Sequence, residues 1–504
     1  MNIRTWTGTG LCAALLLLGA CRRPANYENA LPRDAALVVQ ADLASMVGKS
    51  GLGTRAGQTA LDRLSSALKS GMEGSEELID KMVQSPAESG LDLRAGVYVF
   101  AEPRLERKGL LAKVADASRL LRLLEALGRQ RLCQEPRTSG GCTWTVLGSV
   151  LVACTDGACL VMTPAAGEEP ADLLPTAARL LRQREGEGFA ATEDYRLMRR
   201  QQADIVAFTS MELLPLPPEL TMGLSAELRQ DEVKYISTVR FEPGKAVVDI
   251  CRHTTDTLMN AFTARCLEAT APVQGSYLDR FPANTFCWMT ARADGGRVFS
   301  LLTANPAFRQ LAENPAVPVD IGALFRAVKG DMALALTDLS GEHFIAWADV
   351  TDDRFLATFE ELKPLLALTR GQVRLTGGDT PHYELRLAPG FLPDLPAPCR
   401  SLWFGVKDHR FYFTNDADLK EARVLGLSLR DNPWGPQVEG SYFFFALNAN
   451  VVHRTFAETL KGQGAAAQLL AILAGLDYLT VRSSDGINAR VELVMKDKSR
   501  NFLF

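Results

Sequence analysis

The 504-residue chain predicts an α+β protein of two tandem similar modules, each an antiparallel or mixed β-sheet covered by helices. Three observations carry this prediction. Short apolar runs, alternating or hairpin-like, are separated by Gly, Pro and Asp turn residues, as antiparallel strands require. Their landmarks return in the same order after roughly 240–250 residues, a period far too long for a solenoid. The chain is 47% hydrophobic and 23% charged, a balance that supports large buried cores.

The N-terminus is a separate element. Arg4 supplies a positive start, Leu11 to Leu18 an apolar run, and Leu18-Gly19-Ala20-Cys21 a small-residue exit ending in cysteine. That layout is a secretory signal, and the closing cysteine is the lipoprotein box, so residues 1–20 are read as signal peptide. Cys21 is then the lipidated first residue, carrying acyl chains such as palmitate. The run is well short of the ~20 apolar residues needed to span a bilayer. Residues 21–29 form a polar tether, residues 30–262 the first module and residues 276–504 the second, with the join at 263–275.

Each landmark has a counterpart. Leu31-Pro32-Arg33-Asp34 feeding the strand Ala35–Ala41 and a helix at Leu43–Val47 returns as Phe281-Pro282-Ala283-Asn284, the strand Thr285–Ala291 and a helix at Val298–Leu302. The strand Ala95–Phe100 matches Lys329–Leu334. Leu110–Val114 with Asp116 as helix cap matches Phe344–Val350 with Asp352. The hairpin around Cys154 and Cys159 matches Leu402–Tyr412, where Val406 and Phe411 replace the cysteines. Ile205–Phe208 matches Tyr442–Ala446, and the hairpin 233–251 matches 478–495. Ala465–Leu479, interrupted by Gln468 and Asp477, reads as a core helix rather than a membrane span.

Of the ten cysteines, Cys12 leaves with the signal and Cys21 carries lipid, leaving an even number for an oxidising compartment. Asp156-Gly157 reads as a two-residue type I′ turn, which places Cys154 opposite Cys159 at bridging distance. Cys133 and Cys142 bracket a Pro/Gly-rich loop and form a second candidate bridge. Pairing of Cys251, Cys266, Cys287 and Cys399 stays open.

The lipoprotein cysteine, the Leu-Pro-x-Asp and Phe-Pro-Ala-Asn strand starts, Leu301-Leu302-Thr303-Ala304-Asn305-Pro306, and the Gly330-Asp331 strand followed by Thr337-Asp338 resemble a family of bacterial lipoproteins. Its members are about 500 residues long, occur mainly in gut bacteria and are classed only as a domain of unknown function. The resemblance implies no catalytic residues. Surface-exposed lipoproteins of those bacteria often carry acidic residues after the lipidated cysteine. Arg22-Arg23-Pro24 stand there instead, which implies outer-membrane attachment facing the periplasm.

No constellation declares a chemistry. The five histidines, His253, His343, His382, His409 and His453, are scattered and none has metal-ligand spacing. Ser66-Ala67-Leu68-Lys69 lacks the partner motifs of penicillin-recognising enzymes. Gly223-Leu224-Ser225-Ala226-Glu227 fails a nucleophile elbow at its last position, and Gly48-Lys49-Ser50 lacks the first glycine of a phosphate loop. Asp352-Asp353 belongs at a helix start. Asp256-Thr257-Leu258 matches a short O-glycosylation acceptor. Tyr442-Phe443-Phe444-Phe445, with Trp403 and Trp434, reads as a doubly buried strand, with a ligand groove as the alternative. The net charge of −4 argues against nucleic acid. The expectation is a non-catalytic, lipid-anchored binding or interaction protein with a protein or glycan partner and no cofactor. The alternative is an envelope hydrolase of glycan or peptide with a dispersed site.

Overall fold

The computed structural model describes residues 26–50, 86–103, 106–214, 229–314, 320–337, 343–389, 391, 397–421, 424–451 and 474–499. Cys21, Ser66–Lys69, Gly223–Glu227, His453 and most of 465–479 lie outside them. The fold is α+β, and every strand pairing is antiparallel among the described residues. The chain divides into two compact units, Met1–Leu214 and Pro215–Phe502.

The first unit holds β1 (Leu37–Ala41), β2 (Val97–Ala101), β3 (Lys108–Lys113), β4 (Arg137–Ser139), β5 (Cys142–Leu147), β6 (Val150–Cys154), β7 (Ala158–Thr163) and β8 (Ile205–Ser210). Their order across the sheet is β4-β5-β6-β7-β3-β2-β1-β8. Helix α1 (Leu43–Ser50) follows β1, and α2 (Ala117–Arg129) follows β3. Asp116 accepts the Arg119 amide at 3.0 Å and so caps α2, whose Leu120 and Leu124 reach the core.

The second unit begins with β9 (Val233–Glu242), β10 (Lys245–Thr254), α5 (Thr257–Ala269) and β11 (Thr270–Ala271); among the described residues the first unit also holds α3 (Leu174–Leu181) and α4 (Glu193–Arg199). Next come β12 (Cys287–Asp294), α6 (Gly295–Leu302), α7 (Pro306–Ala312), α8 (Ile321–Ala327), β13 (Val328–Leu336), β14 (Phe344–Val350) and α9 (Ala357–Ala367). The remainder is β15 (Val373–Gly377), β16 (His382–Leu387), β17 (Ser401–Lys407), β18 (Arg410–Thr414), β19 (Phe443–Asn448), β20 (Leu476–Ser483) and β21 (Ala489–Met495). The order β15-β16-β17-β18-β14-β13-β12-β19 follows the same chain-order pattern as in the first unit. It then continues as β20-β21-β10-β9. The unit boundary therefore precedes residues 263–275: the hairpin β9–β10 adds to the sheet of the second unit through β21.

One face of this second sheet is dry. Trp288, Trp347, Tyr412 and Phe444 are packed there under Tyr277, Leu278, Phe281, Trp434 and Val438. Side chains of that size contribute about 1.5–3 kcal/mol each when fully buried. Asp331, with no exposed surface, accepts the Gln274 and Ser276 amides at 3.0–3.1 Å and pins the covering loop. The other face carries the helices.

Three expectations are corrected here. Cys133 bridges to Leu147, at the opposite end of β5 from Cys142. Five residues of strand, at ~3.3 Å each, hold the two cysteines some 16 Å apart along β5, beyond the ~7 Å between Cα atoms that a disulfide tolerates. The turn after Cys154 is not type I′, since neither Asp156 nor Gly157 has positive φ. Thr155 Oγ1 accepts the Ala158 amide at 3.2 Å, so the side chain joins the backbone bond from the Thr155 N–H to the Ala158 carbonyl in closing the loop. The positive-φ pair that type I′ needs sits in the matching hairpin, at Asp408 and His409. Finally, β19 is not buried on both faces: Phe444 is fully covered while Phe443 is 37% exposed.

Candidate functional site

Strand register builds an apolar floor on the helical face of the second unit. One row across the sheet reads Phe443, Ala291, Met332, Ala348, Phe411. The next reads Phe445, Met289, Leu334, Ala346, Phe413. Both rows are bulky at the ends, while the alanines Ala291, Ala346 and Ala348 leave a hollow between them. Alternation along each strand fixes this, because side chains two residues apart share a face. Thus Ile345 and Trp347 fill the dry core while Ala346 and Ala348 face the helices.

The hollow is a cavity of ≈ 340 Å³. Leu324 and Val328, from α8 and the start of β13, wall it with Phe355, and Phe443 and Phe411 stand on the floor. Helix α8 is set there by two devices. Asp320 accepts the Ala323 amide at 2.7 Å as its cap, and Gly295 at the start of α6 lets the Phe325 carbonyl approach closely. The lining side chains are almost wholly hydrocarbon, with one thioether each from Met289 and Met332. In the first unit the row Ala207, Val39, Val99, Leu110 and Val161 places Leu110 where the second unit has Ala346, whereas Ala112, opposite Cys159, matches Ala348. Val99 and Leu110 are 43% and 38% exposed there.

The residues singled out by sequence do not converge on this cavity, apart from Phe443 of the aromatic run and Phe411 of the matching hairpin. Trp434 is core, 6.0 Å from Trp288 and 5.4 Å from Phe444, ring centre to ring centre. Trp403 packs partly buried against the same core. Lys49 lies 2.7 and 2.8 Å from the two oxygens of Asp204, which also accepts Ser45 Oγ at 2.6 Å, so its ammonium is committed to a buried carboxylate. Asp352 accepts the Arg354 amide at 3.0 Å, and Asp256 caps α5 through Met259 at 2.7 Å. His382 lies 3.0 Å from the Tyr412 hydroxyl, and burial holds its pKa below the usual imidazole range. His343 is 3.4 Å from Asp416, His409 is in the hairpin turn, and His253 faces Lys234 across β9–β10. Among the described residues no group of three or more His, Cys, Asp or Glu is placed to hold a metal.

Cys154 and Cys159 do face each other in register, as free thiols with sulfurs 3.3 Å apart. Cys142 lines the adjoining depression with α2. Sequence reasoning missed the alanine rows. The Ala346-Trp347-Ala348 alternation was their one local signal.

Comparison with known proteins places the chain. Residues 27–503 match the model of the family described as "Domain of unknown function (DUF4836)", so the chain belongs to that family. No curated protein matches. Among solved structures, crystal form I of TP0453 is similar at 11% identity, covering 50% of this chain and 88% of that one with a TM-score of 0.29. Crystal form IV of TP0453 gives 12% identity, 46% and 83% coverage, and a TM-score of 0.27.

Proposed function

Taking membership of that family as the premise, we propose that the protein is a lipid-anchored envelope protein that binds an apolar ligand without transforming it. The cavity between Phe443 and Phe411 is the binding site. The observation that carries the reading is its lining: hydrocarbon on floor and walls, with no titratable side chain among the described residues that line it. A cavity of ≈ 340 Å³ has room for on the order of ten small groups at ~30 Å³ each. At about 0.8 kcal/mol per buried CH₂, an alkyl chain of that length gains roughly 6–8 kcal/mol. Immobilisation takes back at least about 4 kcal/mol, leaving a weak but specific interaction.

The matching strand orders of the two units support an internal duplication, with Ala346 of the second copy standing where the first has Leu110. The anchor is Cys21, and Arg22-Arg23 support attachment facing the periplasm. Native mass spectrometry of protein extracted from membranes tests the reading as a whole. An acylated N-terminal Cys21 and an additional alkyl-bearing adduct are expected. A mature chain without acyl mass, or one that carries no adduct and takes up no added 1-decanol, contradicts it.

A further inference from the structure

The opposite face of β14 carries a second, chemically different cavity. Ile345 and Trp347 wall it together with Phe281, Pro282, Leu419 and Val424, in a space of ≈ 150 Å³. Arg280 lines the same space, with its guanidinium carbon 4.7 Å from the centre of the Trp347 ring. That guanidinium is half-buried, yet among the described residues it has no ion pair. Of the nearby carboxylates, Asp408 acts on Arg280 only through space, and the other two are engaged elsewhere. Asp279 takes Arg430 at 3.0 Å through both oxygens. Asp349 accepts the Tyr277 hydroxyl at 2.8 Å and the Asp331 amide at 3.0 Å, and Arg410 lies 3.8 Å from it. Arg410 in turn lies over Tyr277, 6.0 Å from its ring centre, so a second cation borders the first.

We propose that this cavity binds a small carboxylic acid with an apolar body, the carboxylate pairing with Arg280 and the hydrocarbon resting on Trp347, Ile345 and Phe281. A partly desolvated cation without a counter-ion is costly, and an incoming carboxylate recovers that cost through a charge-assisted, forked hydrogen bond. Burial and the neighbouring Arg410 push the Arg280 pKa down and outweigh Tyr277, Asp408 and Asp349, which act the other way. The stacked ring holds the guanidinium plane in place before the ligand arrives. The space corresponds to roughly five waters, enough for a branched or cyclic body of about that many carbons.

Isothermal titration of the full chain with 4-methylpentanoate and with 4-methylpentanamide tests this without any variant. Saturable binding of the acid, with the amide at least tenfold weaker, is expected. Arg280→Gln is expected to weaken the acid at least tenfold, and Arg280→Lys, which keeps charge but not the fork, to fall between. Equal affinity for acid and amide, no saturable uptake of the acid, or a folded Arg280→Gln protein that binds like the parent overturns the proposal. So does inorganic phosphate competing as well as the acid itself. A neutral alkyl probe such as 1-decanol reports the apolar cavity alone, so failure of either site is read independently.

Discussion

Cys154 and Cys159 stand directly opposite each other at the end of the β6–β7 hairpin, and Val406 and Phe411 hold the same register position in β17–β18. Thr155 and Ala158 are the hydrogen-bonded pair next to the turn, with Thr155 N–H donating to Ala158 at 2.8 Å. The cysteines are therefore the following, non-hydrogen-bonded pair, where strands approach closest and a cross-strand bridge fits. The Cys159 sulfur and burial both raise the Cys154 pKa, so the thiolate needed for oxidation is scarce. We expect slow alkylation of Cys154 in the folded protein at neutral pH. Oxidation is expected to yield a 154–159 bridge, seen as linked peptides on non-reducing mass mapping. The closed loop is short, so bridging adds only about 2 kcal/mol of stability on the chain-entropy estimate. Rapid alkylation, or oxidised protein with both cysteines unlinked, contradicts this.

Asp249 on β10 ties the β9–β10 hairpin to β21. Burial alone would raise its carboxyl, but bonds from Arg490 and Arg240, each 2.6 Å, outweigh burial and hold it below the usual carboxylate range. A group depressed in this way contributes fully above the unfolded carboxylate value near 3.9, and loses that contribution as pH falls through the folded-state value. Asp249→Asn should therefore cost about 1–2 kcal/mol at pH 7, allowing for the partial exposure of both arginines. The gap from the parent should narrow as pH falls below the unfolded carboxylate value, measured by urea unfolding across pH. A gap that stays constant down to pH 2 contradicts the ion-pair origin.

Gly295 begins α6, where an added Cβ would collide with the Phe325 carbonyl of α8. The conflict is with backbone, so neither helix yields cheaply. Gly295→Ala is expected to destabilise by about 1–3 kcal/mol and to lower the melting temperature. Because α8 walls the apolar cavity, decanol binding should weaken with it. An unchanged melting temperature contradicts the close crossing.

The strands given as landmarks were legible in the sequence because each is a short apolar run ended by turn residues, whereas β4, β5, β15 and β16 were not read. The predicted Val406–Phe411 and Cys154–Cys159 pairs lie in register. The helix start at Asp116 was legible, while the cap at Asp256, read only as part of a glycosylation acceptor, was not. The apolar cavity was not, since it depends on Ala291, Ala346 and Ala348 meeting Phe411 and Phe443 across strands far apart in the chain. Register of that kind is set by tertiary pairing, not by local pattern. The Cys133–Cys142 bridge failed for the complementary reason. Residues close in sequence were placed at opposite ends of one extended strand.

The most direct test of the account is calorimetric titration of 1-decanol into the parent protein and into Ala346→Leu, which fills the hollow from its floor. The parent should bind saturably. The variant should bind at least tenfold more weakly, with stability within about 1 kcal/mol of the parent, since the added side chain occupies existing space. A folded Ala346→Leu protein that binds decanol as tightly as the parent would contradict the cavity as the ligand site.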